Sequence, residues 1–239
     1  MLPSFEELMT TSVWFRQKKF LFIAIPCKLF WLFALVMMLP PSNVSAVTSA
    51  PPIFNTLEEP QYTLEYLPQW LSALERHLTK DVPEGQCTDG TFNQCHLKNW
   101  LAFLSSIKDK TPDQQIDAVN RYANDKPYII DLDNYSVDDY WASAKEFLYN
   151  GGDCEDYAIT KYFSLRWLGY GQDDLRLLIL QDTNLRIQHA VLVVFHQGQV
   201  LVLDNQSQQV LPQEKILHYV PLYSVNEKQW WLHVQQFLH

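Results

Sequence analysis

Three apolar runs most constrain what this chain can fold into: LRLLILQ at residues 175–181, IQHAVLVVF at 187–195 and QVLVLDN at 199–205. Runs of this length, rich in Val, Ile and Leu, are typical of buried β-strands. Only a short segment containing Gly198 separates the second run from the third, which predicts an antiparallel hairpin.

Three helices are predicted in the segments before the strands. Apolar residues recur at helical spacing over about residues 68–79, 97–107 and 112–124. Leu78 of the first helix and Leu101 of the second are expected on the buried stripes. The third helix is expected to begin with Thr111 as N-cap and Pro112 at the first helical position.

A fourth long helix is predicted after an acidic connection. Residues 131–141, rich in carboxylates, are interpreted as a loop, and a short helical piece is expected at 143–148. Helical spacing then returns from Cys154 to Leu168, with Gly169 as the C-cap. Helices followed by antiparallel strands predict an α+β domain with a helical N-terminal part, a C-terminal sheet and one core.

The first 46 residues are not expected to belong to this domain. Basic residues precede an apolar run over 20–39, and the small residues of 44–46 follow, which is the order of a secretory signal peptide. The run is just long enough for an uncleaved signal anchor, which stays the alternative. Residues 47–63 are interpreted as an extended lead-in. The predicted organisation is therefore a leader at 1–46 and one domain at 47–239.

The net charge and the positions of the cysteines further restrict the class of protein. The formal net charge is −9, and the leader carries more basic than acidic residues. Such a chain is poorly suited to nucleic acid and better suited to cations. Cys27 lies in the leader, and Cys87 and Cys95 lie close together in a polar loop. In an oxidising compartment this pair is expected to form a disulfide, with two free thiols as the alternative, which leaves Cys154 alone.

The lone cysteine lies in the stretch GGDCEDY, between Asp153 and the pair Glu155 and Asp156. These carboxylates disfavour a thiolate, whereas the predicted position at a helix N-terminus favours one. A thiol becomes a catalyst when it ionises, when a base moves its proton and when a third group orients that base. Cys154 is therefore a candidate nucleophile.

The predicted hairpin selects a histidine and an aspartate. A two- or four-residue turn around Gln197 and Gly198 places Asp204 opposite Val191, on the face that also carries His189. Diagonal neighbours on one face lie about 7 to 8 Å apart, within reach of an imidazole and a carboxylate. A turn of odd length would remove this arrangement. The alternative is a structural histidine and an aspartate that only ends its strand.

The segments GGDCEDYAITKYFSLRWLG, HAVLVV and VLVLDN, with DDYWASAKEFL before them and VPLYSVNEKQWW after them, resemble the bacterial transglutaminase-like cysteine proteinases, and within that family the LapG-type periplasmic proteases. The resemblance covers roughly residues 131–231 and implies a papain-like or transglutaminase-like fold. It assigns Cys154 as nucleophile, His189 as general base and acid, and Asp204 as the residue that orients His189. Ala190 departs from the family pattern, where a bulkier residue is usual.

The resemblance also implies calcium, with Asp153 and Glu155 as ligands and Asp156 as a further candidate. Calcium suits several oxygen ligands in irregular geometry, and its charge reverses the effect of the acids on the thiol pKa. The alternative is that these acids only favour the helix dipole. The loop before the helix offers additional candidate ligands: Asp131, Asp133, Asp138 and Asp139.

The function implied by the resemblance is a periplasmic, calcium-dependent cysteine endopeptidase. Its expected substrate is the N-terminal region of a large surface adhesin, cut near a pair of alanines so that biofilm cells disperse. Its expected partner is an inner-membrane cyclic di-GMP receptor of the LapD type. Two rivals stay open: acyl transfer to an amine, as in transglutaminases, and a non-catalytic calcium-dependent binding module.

Overall fold

The structure, a computed structural model, describes residues 51–80 and 95–236. The predicted leader at 1–46 and Cys87 lie outside the described residues. Cys95 is buried and disulfide-bonded. The described α-helices are α1 (Pro68–Thr79), α2 (His96–Ile107), α3 (Pro112–Asn124), α4 (Asp131–Tyr135), α5 (Ala144–Asn150) and α6 (Cys154–Trp167). The described strands are β1 (Leu57–Gln61), β2 (Leu175–Asp182), β3 (Ile187–His196), β4 (Gln199–Leu203), β5 (Leu211–Pro212), β6 (Tyr219–Val225) and β7 (Trp230–Val234).

The predicted long helices are confirmed. α3 begins with a capping box, in which the Thr111 hydroxyl accepts a hydrogen bond from the Gln114 backbone N–H at 3.4 Å. α6 begins at Cys154, and Gly169 lies just beyond its end with a φ of +100°. Glycine adopts this left-handed conformation without a steric penalty, as a helix C-terminus commonly requires. Among the described residues, no helix is long and apolar enough to cross a membrane.

The predicted stripes of α1 and α2 are wrong in two positions. Leu78 is 56% exposed and Leu101 is 36% exposed. In α1 the buried face consists of Trp70, Ala73 and His77 instead. His77 is buried because its ring stacks on an aromatic ring of α6, a tertiary contact that helical spacing does not reveal.

The acidic segment at 131–141 also differs from its prediction as a loop, since it begins with the short helix α4. Two acidic residues lie in the first turn of α4, where negative charge is favourable. Ser136 ends the helix in the left-handed conformation, with a φ of +59°.

In the described part of the chain, seven strands form one antiparallel sheet in the order β1-β7-β6-β2-β3-β4-β5. β2, β3 and β4 correspond to the three apolar runs, so the α+β class is confirmed. β1 was not predicted, because it lies in the proline-containing lead-in. It contains Pro60, which a strand at the edge of a sheet tolerates.

The central strands are buried on both faces. On one face Tyr162 of α6 belongs to the cluster that includes Leu192 of β3. On the other face Val191 and Val202 pack with Ile53 from the segment before β1. Burial on both faces explains why the runs are almost continuously apolar rather than alternating.

The hairpin register confirms the prediction. Leu192 lies opposite Leu203, and the turn between β3 and β4 consists of Gln197 and Gly198. Both turn residues have positive φ, +51° and +76°, as a two-residue type I′ turn requires. The even-length turn therefore keeps Asp204, the first residue after β4, on the predicted face.

Gly198→Val is expected to destabilise the protein by about 1 to 2 kcal/mol, because a β-branched residue is strained in the left-handed conformation. Gly198→Asn is the matched control, since asparagine tolerates this conformation. Urea unfolding of the three proteins measures the difference. Equal stability of the Val and Asn variants would contradict the assigned turn.

Candidate active site

Two glycines bring the chain to the N-terminus of α6, where Cys154 is the first helical residue. Gly151 has a φ of +77°, and a Cβ there would lie 2.7 Å from the Pro127 carbonyl oxygen. The Gly152 carbonyl oxygen accepts a hydrogen bond from the Ile129 backbone N–H at 2.9 Å. This turn holds the start of α6 against the segment that leads into α4.

Asp156 is fully buried and connects the first turn of α6 to the segment before α5. Its Oδ1 accepts a hydrogen bond from the Ala142 N–H at 2.6 Å, and its Oδ2 accepts one from the Asp153 N–H at 3.2 Å. A Cβ on Gly152 would lie 2.0 Å from Oδ2, so only glycine leaves room for this carboxylate. Burial raises the pKa of Asp156 well above its ordinary value, and the Asp153 charge adds to the rise.

The Cys154 thiol lies between the carboxylates and β3. It donates a hydrogen bond to Glu155 Oε2, with a sulfur-to-oxygen distance of 3.3 Å. Burial raises the pKa of this thiol, and the charges of Glu155 and Asp153 raise it further, whereas the Ala190 backbone N–H lowers it. The thiol therefore lies close to the residue that follows His189. The acids around the thiol therefore favour its protonated form.

His189 and Asp204 form a buried hydrogen-bonded pair, with 3.0 Å between His189 Nε2 and Asp204 Oδ1. The Asp204 carboxylate also accepts hydrogen bonds from the Tyr219 hydroxyl and from the Gln206 backbone N–H. Burial alone raises the pKa of Asp204, but the bonds from His189 and Tyr219 outweigh burial and hold that pKa below its ordinary value. Since Nε2 faces Asp204, Nδ1 is the nitrogen on the opposite side of the ring.

Five carboxylates crowd the N-terminus of α6 in the described part of the chain. They form three overlapping sets in which the candidate ligand atoms lie within 4.8 Å of one another: Asp153, Cys154 and Glu155; Asp131, Asp139 and Glu155; and Asp131, Asp153 and Asp156. The cluster therefore contains the three predicted ligands, Asp153, Glu155 and Asp156, together with Asp131 and Asp139. Asp133 and Asp138 are exposed and belong to none of these sets.

The donor atoms of this cluster fit a hard divalent cation. The Oδ1 atoms of Asp131 and Asp153 are buried and have no hydrogen-bond partner among the described residues. Burial raises the pKa of Asp131 to about 6. The charges of Asp153 and Asp139 raise this pKa as well, whereas the hydrogen bond from the Tyr140 N–H lowers it. Burial, together with the charge of Asp156, also raises the pKa of Glu155 well above its ordinary value. A cation with oxygen preference satisfies the unpaired oxygens and removes the repulsion.

Sequence reasoning missed two groups near Asp204. Tyr219 reaches Asp204 only because β6 pairs with β2, and β6 was not predicted.

Lys161 of α6 is fully buried, and its Nζ has no hydrogen-bond partner in the described part of the chain. Burial lowers the pKa of Lys161 to about 7, although Asp204 acts in the opposite direction. A lysine usually marks the exposed face of a helix, so no local pattern indicates this burial.

A helix-start cysteine beside a histidine–aspartate pair is an arrangement that thiol-dependent hydrolases and acyltransferases use. The sequence pattern of the bacterial transglutaminase-like cysteine proteinases matches residues 87–237, and the chain belongs to this family. The resemblance of the sequence motifs is thereby confirmed. No protein among the curated sequences matches the chain.

Solved structures of LapG from Legionella pneumophila are similar to this chain. Calcium-bound LapG has 28% identity and a TM-score of 0.54, over 68% of this chain and 86% of that chain. A second LapG structure has 33% identity and a TM-score of 0.55, over 62% and 80%. EGTA-treated LapG has 30% identity and a TM-score of 0.54, over 73% and 87%. These matches confirm the transglutaminase-like cysteine protease fold.

Lys161→Met is expected to stabilise the protein, and to do so more at pH 6 than at pH 9. The lysine pKa falls from 10.5 to about 7 on burial, so the unfolded chain binds more protons between these values. The stability of the unsubstituted protein therefore rises with pH across this window. The destabilisation caused by burying the charged lysine is largest at pH values below this window. The gain from the substitution is expected to be about 2 kcal/mol larger at pH 6.

Urea unfolding of both proteins at the two pH values measures this gain. Lys110→Met is the control, because Lys110 is exposed. The same pH-independent change in both variants would show that Lys161 is not buried with a lowered pKa.

Proposed function

We propose that this chain is a periplasmic, calcium-dependent cysteine endopeptidase that cuts the N-terminal region of a large surface adhesin. The observation that carries the catalytic part is the buried His189–Asp204 pair beside the Cys154 thiol. Membership of the cysteine proteinase family supports a protease. Release of the adhesin, and with it dispersal of biofilm cells, is the consequence of the cut.

In the proposed mechanism His189 is the general base. Its Nε2–H donates to Asp204, which fixes the ring orientation and leaves Nδ1 to accept the Cys154 proton. The thiolate attacks the scissile carbonyl carbon, and His189 then protonates the leaving amine. Water hydrolyses the resulting thioester, with His189 again acting as base. The Cys154 backbone N–H, in the first turn of α6, is the proposed oxyanion donor.

Calcium is the proposed cation of the acidic cluster. Asp131, Asp139, Asp153 and Glu155 would supply its oxygen ligands, and Asp156 lies in the same cluster. Its charge would neutralise the carboxylates that raise the thiol pKa. The calcium-bound and EGTA-treated forms of the similar LapG support this choice.

Exposed apolar side chains near the thiol support a polypeptide substrate. Tyr128 and Ile130 flank Ile129, whose N–H bonds to Gly152 beside the nucleophile, and Ile187 lies two residues before His189. Such side chains suit an extended peptide with uncharged residues, and we propose a pair of alanines at the cut. A regulatory receptor of the LapD type is proposed to withhold the enzyme from the adhesin when cyclic di-GMP is abundant.

Cleavage is expected only when calcium and the thiol are both present. The chain from residue 47 onward is mixed with the N-terminal segment of an adhesin encoded in the same genome, with calcium or with EGTA, beside Cys154→Ala. A cleavage product that appears on a gel only with calcium and an intact Cys154 supports the proposal. Mass spectrometry of the product formed with an added amine distinguishes hydrolysis from acyl transfer. Cleavage by Cys154→Ala, or equal cleavage in EGTA, contradicts it.

Asp131→Asn is expected to raise the calcium concentration for half-maximal activity by about 10- to 100-fold, because it weakens a buried ligand. Asp133→Asn is the matched control, since Asp133 is exposed and outside the three carboxylate sets. Calcium titration of activity, with calorimetry of binding, compares the two variants. An unchanged calcium dependence in Asp131→Asn would remove this residue from the ligand set.

A further inference from the structure

Two asparagines on α3 hold the loop that carries Asp204. Asn120 and Asn124 are four residues apart, so they lie on the same side of the helix. The Asn124 side-chain N–H2 donates to the Asp204 and Ser207 carbonyl oxygens, at 2.8 Å each. The Asn120 side-chain N–H2 donates to the Ser207 and Gln208 carbonyl oxygens at 3.0 and 3.3 Å.

The loop has internal hydrogen bonds, but in the described part of the chain only one of them reaches a carbonyl oxygen that the asparagines bind. Asp204 is the first residue after β4, beyond the last pair of the β3–β4 register. The Ser207 N–H lies 3.4 Å from the Asp204 carbonyl oxygen, a long hydrogen bond. An asparagine amide has two N–H groups, so each side chain serves two carbonyl oxygens. Truncation of Asn124 would leave the Asp204 carbonyl oxygen with this long bond alone. Truncation of Asn120 would remove the donor to the Gln208 carbonyl oxygen, whereas the Ser207 carbonyl oxygen keeps one donor in either variant.

The same helix also packs against α6, which carries the nucleophile. Ile116 and Val119 of α3 belong to the same buried cluster as Ile159 of α6. Ala123, the residue before Asn124, packs against Tyr157 near the start of α6. α3 therefore contacts both the helix of Cys154 and the loop of Asp204, and it sets the position of one relative to the other.

We propose that Asn120 and Asn124 are positioning residues of the active site, which act through Asp204 on the orientation of His189. Neither touches the thiol, and neither is a reacting group. The inference rests on the catalytic triad of the proposed function. It extends that function by making α3 the element that holds the aspartate in place for His189.

A structural contact and a positioning contact differ in one measurable property. Loss of a structural contact lowers stability alone. Loss of positioning weakens the His189–Asp204 bond, so the imidazole no longer lies where it takes the Cys154 proton. The rate at which iodoacetamide labels Cys154 at one fixed pH reports this change without any substrate.

Asn120→Ala, Asn124→Ala and Asn124→Ser are compared with Asn226→Ala in the chain from residue 47 onward, in saturating calcium. Asn226 is the matched control, because it is also buried and its side-chain N–H2 donates to the Gln172 carbonyl oxygen at 3.1 Å. It lies just beyond the end of β6, and Tyr219, which contacts Asp204, begins that strand at its other end. The Ser variant keeps a hydroxyl donor, and Asn124 is only half-buried, so folding is expected to survive.

The expected result for Asn124→Ala is a fall in kcat of about 10- to 100-fold with little change in KM, since small misplacements in a catalytic site have effects of this size. The rate at which iodoacetamide labels Cys154 falls as well, and Asn120→Ala shows the same two changes. Asn124→Ser lies between Asn124→Ala and the unsubstituted protein. Asn226→Ala keeps the original labelling rate even if its melting temperature falls.

Asp204→Ala serves as the reference that separates the two proposals. If Asp204→Ala loses activity and labels slowly, while the variants of Asn120 and Asn124 match Asn226→Ala, the positioning role is overturned and the triad stands. If Asp204→Ala itself keeps both the activity and the labelling rate, the triad of the proposed function is overturned.

Discussion

The active-site region depends on one buried carboxylate, that of Asp156. By accepting hydrogen bonds from two backbone N–H groups, it joins the start of α6 to the segment between α4 and α5. That connection keeps the α4 region, with Asp131 and Asp139, close to the nucleophile. The carboxylate fits only because residue 152 has no side chain. A glycine and an aspartate four residues apart thus bring together the thiol and the acids around it.

The features that sequence could predict are those fixed by local chemistry. The hairpin register follows from a two-residue turn with Gly198, and it correctly places Asp204 beside His189. The start of α3 follows from its capping residues, and the start of α6 follows from the glycines before Cys154. The catalytic roles of these residues are not decided by their positions and stay proposals.

The features that sequence could not predict depend on distant partners. β1 contains Pro60 and becomes a strand only because β7 lies beside it. The burial of His77 in place of Leu78 depends on an aromatic ring of α6. The residues next to Lys161 in the sequence do not indicate that its side chain is buried. The contact of Asn124 with the Asp204 loop joins segments that are far apart in the chain, and no periodic pattern records it.

The position of β1 at one edge of the sheet also bears on the order in which the protein is assembled. β1 pairs with β7, so the first and last described strands are neighbours in the finished sheet. A chain that emerges from the ribosome exposes β7 after the other six described strands. Strand pairing over such a sequence separation is slow, since the intervening chain must first be ordered. The sheet therefore cannot be completed until β7 has emerged, and β1 has no strand partner while the other strands of the sheet form.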